Sequence, residues 1–68
     1  MRTDAIFQNY QTGKARRVEI GMRAVIGGNL GHVRHIGRKY VTFAIYGGKP
    51  VKIDPLCDSV NWTGDFHN

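Results

Sequence analysis

Sixty-eight residues, 41% of them apolar and 22% charged, make one domain: too short for a nucleotide-binding α/β enzyme or a second core, and too rich in core-forming side chains for disorder. Ten Lys and Arg against five Asp and Glu give a formal charge of +5, which favours polyanionic partners or an acidic protein surface. The charge is uneven: residues 1–39 carry eight basic and two acidic side chains, a charge of +6, whereas residues 40–68 set Lys49 and Lys52 against Asp54, Asp58 and Asp65, a charge of −1.

A chain this short buries only about 60% of the surface its unfolded form exposes, so a partner or a second copy is a natural source of stability, and homo-oligomerisation stays open. Cys57 is the only cysteine, which excludes an internal disulfide and fits a reducing, cytoplasmic setting. Residues 1–9 hold no apolar stretch of signal-peptide length, and the longest aliphatic run, Ala24-Val25-Ile26, is far short of a membrane span, so no membrane association is expected.

Along the chain, nine glycines punctuate short stretches of β-branched and aromatic residues, an all-β pattern. Residues 1–17 obey no single period. Ile6, Phe7 and Tyr10 fit one helical face, Ile6, Gln8 and Tyr10 fit one side of a strand, and the segment reads as a loosely ordered N-terminal arm. Residues 18–68 read as the folded domain. After a turn at Gln11-Thr12-Gly13-Lys14, Val18 and Ile20 alternate with Arg17 and Glu19 as a half-buried strand does, and Gly21 breaks the pattern. A meander follows: residues 22–26, a glycine loop at 27–31, residues 32–36, a turn at Gly37-Arg38-Lys39, and residues 40–46. In the last of these Val41, Phe43 and Ile45 face a core, and Tyr40, Thr42, Ala44 and Tyr46 face away. Gly47-Gly48 predicts a two-residue hairpin returning through Val51 and Ile53, with Pro50 placing that strand at an edge. Beyond Pro55, residues 56–62 read as a short helical turn or an irregular cover that buries Leu56, Val60 and Trp62 over the core. Four or five antiparallel strands with tight turns point to a small, strongly bent SH3-like barrel, with Sm-like and OB-like barrels as alternatives.

The stretch Gly28-Asn29-Leu30-Gly31-His32-Val33-Arg34-His35-Ile36, followed by Val41 and Phe43, resembles the KOW-type pattern of SH3-like barrels over residues 28–43. Asn29-Leu30 stands where that pattern has a basic residue before its second glycine. The resemblance implies nucleic-acid, ribosome or polymerase association, or protein docking. In size, basicity and strand content the chain is also similar to short accessory proteins of phages and plasmids. Phe43-Ala44-Ile45-Tyr46 can be set beside the Val-Gln-Ile-Tyr strand of type II dihydrofolate reductases, but Ala44 lacks the amide that would bind a folate or nicotinamide.

The residues offer little for catalysis. Cys57 and His67 are the only thiol arrangement, Asp54 and Asp58 flank Pro55 as turn and cap residues, and no phosphate-binding glycine loop precedes a lysine. His32 and His35, three apart on a strand, are expected on opposite faces, so no metal site and no cofactor are expected. Such surface histidines would instead strengthen binding to a polyanion as pH falls. The basic side chains are the better lead. Arg16, Arg17, Arg34, Arg38 and Lys39 are expected at exposed strand or turn positions, and Tyr40 beside them could stack on bases. That combination predicts a non-enzymatic binder of nucleic acid, RNA or single strands before a duplex. The alternative is a protein-docking module, or an inhibitor of a host enzyme, acting through Tyr40 and Tyr46.

Overall fold

A computed structural model describes residues 3–67, which form seven strands and no helix. β1 (Asp4–Asn9) and β2 (Lys14–Glu19) pair as an antiparallel hairpin. β3 (Met22–Ile26), β4 (Asn29–Ile36), β5 (Val41–Ile45), β6 (Val51–Ile53) and β7 (Val60–Phe66) build a second antiparallel sheet in the order β6-β5-β4-β3-β7. Among the described residues no helix is long and apolar enough to cross a membrane.

The segment read from sequence as an arm forms most of this hairpin. Residues 4–19 are ordered by cross-strand pairing, with Asp4 opposite Glu19 and Asn9 opposite Lys14. The pairing puts Ala5, Phe7, Arg16 and Val18 on one face, and Phe7 and Val18 from that face are buried in the core. They join Ala24, Val33, Ile36, Val41, Phe43 and Val60 from the larger sheet, so one core lies between the two sheets. A Cα radius of gyration of 11.1 Å equals the ~11 Å of a compact chain of this length, as a hairpin packed on the sheet requires.

Gly27 and Gly28, at φ of 60° and 83°, are the whole connection between β3 and β4, a two-residue turn whose left-handed conformations match the strand twist. The loop expected over residues 27–31 is therefore shorter, and Asn29, Leu30 and Gly31 belong to β4. Gly31 serves a different need: a Cβ there would lie 2.7 Å from the Ala44 carbonyl oxygen and 2.8 Å from Ile45 Cδ1, so its lack of a side chain lets β4 and β5 close. β5 alternates as its sequence predicts, with Val41 and Phe43 fully buried and Ile45 packed against the core. The hairpin to β6 is longer than expected, with residues 46–50 between the strands. Among the described residues β6 pairs with β5 alone, and it is the edge strand that Pro50 implies.

The helical turn expected near the C-terminus is absent. Pro55 stops β-pairing, and two consecutive turns follow, with Cys57 N–H donating to Asp54 O at 3.0 Å and Val60 N–H to Cys57 O at 3.1 Å. The chain then enters β7 against β3. Along that pairing three residues of β7, Thr63, Gly64 and Asp65, stand opposite the single Arg23. Leu56, Val60 and Trp62 do cover the core, Trp62 with its ring centroid 5.6 Å from that of Phe43.

Candidate nucleic-acid interface

The four residues between β4 and β5 are held at both ends. Ile36 pairs with Val41, and Gly37 N–H donates to Tyr40 O at 2.9 Å. Arg38, Lys39 and Tyr40 stand out from this loop as a ridge, because the same three side chains line clefts on both sides of it. One cleft, about 320 Å³, lies on the outer face of the larger sheet. Strand register builds it: His35 is opposite Thr42, and Thr42 is opposite Lys52, so the three form a row across β4, β5 and β6 beside the ridge. Among the described residues no carboxylate lines it. The other cleft, about 420 Å³, lies between the ridge and β1 and is lined also by Asn9, Tyr10, Asp54 and Leu56.

The cations differ in what already engages them. Arg17 reaches Asp4 at 2.5 Å and Glu19 at 3.9 Å, and Arg23 reaches Asp65 at 3.4 Å. Lys14 pairs with Asp58, a hydrogen-bonded contact that raises the lysine pKa and lowers that of the carboxylate. Arg16 sits on the inner face of the hairpin, its guanidinium carbon 4.6 Å from the Trp62 ring centroid. That stacking corrects its expected exposed position: the ring needs a cover, and a flat guanidinium supplies one. Among the described residues Arg34, Arg38, Lys39, Lys49 and Lys52 make no ion pair.

Of the six residues assigned from sequence, the structure brings together Arg38, Lys39 and Tyr40. Arg16 is stacked on Trp62 of β7, Arg17 is paired with Asp4 within the hairpin, and Arg34, although exposed, lines neither cleft. Lys52, His35, Thr42 and Tyr10 complete the clefts and were missed by sequence reasoning. The signal for Lys52 lay in its alternation with Val51 and Ile53. A two-residue hairpin at Gly47-Gly48, however, gives the wrong register against Thr42.

Tyr46 is remote in environment from Tyr40. Its hydroxyl is 2.7 Å from His67 Nδ1, and the His67 ring stacks on His32 at 4.1 Å with 4° between planes. Burial lowers the His32 pKa, with the neighbouring His67 and Arg23 acting in the same direction, so this imidazole resists protonation. Two corrections follow. A bulge in β4 makes Arg34 an extra residue between the Val33–Phe43 and His35–Thr42 pairs, so His32 and His35 share the outer face. His67 is engaged with Tyr46 and His32, while the hydrogen-bond partner of Cys57 is Ser59, its Sγ 3.1 Å from Ser59 Oγ. Among the described residues no group of three or more His, Cys, Asp or Glu is placed to hold a metal ion.

Comparison of the chain with protein-family models, with curated proteins and with solved structures finds no match.

Proposed function

We propose that this chain is a small SH3-like barrel that binds unpaired nucleic acid, RNA before DNA, on the Arg38–Tyr40 ridge and in the clefts beside it. The observation that carries the reading is the meeting of Arg38, Lys39 and Lys52, none of them in an ion pair among the described residues, around the exposed Tyr40. Cations without internal partners are free to displace counterions from phosphates, and an exposed ring accepts any base by stacking. A ridge with a cleft on either side suits a flexible strand, whose bases can turn into either cleft, better than the broad surface of a duplex. The meander β3-β4-β5, extended by β7 beside β3 and sharing its core with the β1–β2 hairpin, is what supports the SH3-like description.

Fluorescence anisotropy of labelled single-stranded RNA, single-stranded DNA and duplex DNA at about 50 and 200 mM salt tests this reading. Single strands should bind more tightly than the duplex, and the affinity should fall steeply with salt. No binding of any of the three at the lower salt would refute it.

A further inference from the structure

The cleft between β1 and the ridge differs from its neighbour in two ways: it holds a second exposed tyrosine and a carboxylate. Tyr10 is 90% exposed and Tyr40 51%, and both line it. The turn that presents Tyr10 is well fixed. Asn9 Oδ1 accepts from the Gln11 and Thr12 amides at 2.9 and 3.2 Å, Gly13 N–H donates to Asn9 O at 2.8 Å, and the Tyr10 hydroxyl donates to Gln8 Oε1 at 2.8 Å. The ring is thus held in solvent on an ordered support, where its area does little for the fold. Asp54 Oδ1 accepts from Leu56 N–H at 2.9 Å, but Asp54 makes no ion pair among the described residues even though Arg38 and Lys39 line the same cleft. A carboxylate with an oxygen to spare repels a phosphate and attracts an amino group. A strand on the ridge is therefore oriented: phosphates to Arg38 and Lys39, a base towards Asp54.

We propose that this cleft is a base-binding subsite for an unpaired strand, in which Tyr10 and Tyr40 supply stacking surfaces and Asp54 accepts a hydrogen bond from a base amino group. The inference rests on the nucleic-acid reading and adds a preference to it. Cytosine offers its N4 amino group to a carboxylate. Uracil carries a carbonyl oxygen there, and two oxygens would face each other.

The test uses the full chain and labelled oligo(C) and oligo(U) of equal length in the same anisotropy assay at fixed salt. Oligo(C) should bind about fivefold or more tightly than oligo(U). Asp54→Asn keeps an acceptor for Leu56 N–H and should erase that difference while binding persists. Tyr10→Ala should weaken both oligomers about tenfold, and Tyr10→Phe should keep the parent affinity. Equal binding of the two oligomers by the parent protein, or a Tyr10→Ala variant that binds like the parent while Arg38→Ala/Lys39→Ala binds weakly, would overturn the subsite and leave the ridge standing. No binding of either oligomer, with RNA of mixed sequence also unbound, would overturn both.

Discussion

Replacing Arg38 and Lys39 by alanine, and separately Lys14 and Arg17, yields two proteins with the same formal charge of +3, since each loses two cations from +5. Only the first pair is free of ion pairs among the described residues, because Lys14 is bound to Asp58 and Arg17 to Asp4 and Glu19. If each ridge cation neutralises one phosphate of a single strand, losing both makes the slope of log Kobs against log salt shallower by about 1.4. Between 50 and 200 mM salt, the parent should then lose about sevenfold more affinity than the Arg38→Ala/Lys39→Ala protein. The Lys14→Ala/Arg17→Ala protein should keep close to the parent slope, since its cations are already neutralised internally and such exposed pairs contribute only about 0–1 kcal/mol to stability. Anisotropy titrations at four or five salt concentrations measure all three slopes. Equal slopes for the two variants would mean that binding follows total charge, and the assignment of the ridge would fall.

Three further outcomes follow from the fold. Gly31→Ala places a methyl group against the Ala44 carbonyl and Ile45 Cδ1, so the β4–β5 pairing must widen; a loss of about 1–3 kcal/mol should appear as a Tm lower by about 10 °C, and an unchanged Tm would refute the close approach. Phe43→Ala removes a fully buried ring packed on Trp62, at about 3–5 kcal/mol against a total near 3–10 kcal/mol for a chain of this length, so urea unfolding should begin with little or no added denaturant. The third concerns pH. Because the fold lowers the His32 pKa, the unfolded chain takes up its proton first; the contribution of neutral His32 is complete above about pH 6.5 and is lost as pH falls through its lowered folded value. Urea midpoints at pH 7.5 and 5 should therefore differ less in His32→Gln than in the parent, and equal acid losses in the two would count against the stacked histidine pair as the cause.

How far the sequence foretold this structure depends on where each strand finds its partners. β3 is legible to the residue, and the inward face of β5 is legible from Val41, Phe43 and Ile45 alone, because both strands lie inside the sheet and their core-facing residues recur at every second position. β1 is not, since Ile6 remains exposed while Phe7 is buried, and the apolar residues of that segment therefore follow no single period. β7 is hidden for a related reason: after Val60 and Trp62 its side chains are exposed, and its polar Thr63-Gly64-Asp65 stretch looks like a loop. In the site, Arg38, Lys39 and Tyr40 could be read as one turn. Lys52 and Tyr10 reach the same place only through the register of β5 with β6 and the packing of the hairpin, and neither is local information. Arg16 misleads in the opposite sense, because its partner Trp62 is 46 positions away in the chain.

The three-for-one mismatch between β7 and β3 bears on how this chain meets copies of itself. An open five-stranded sheet has two edges, each a template on which another chain could extend the ladder. Here one edge is β6, only three residues long and preceded by Pro50, and the other is β7, interrupted where Gly64 takes a φ of 88° and Asp65 brings a charge. Neither offers a flat run of free amides and carbonyls long enough for strand addition. The larger sheet is thus guarded at both rims against growth into a fibre.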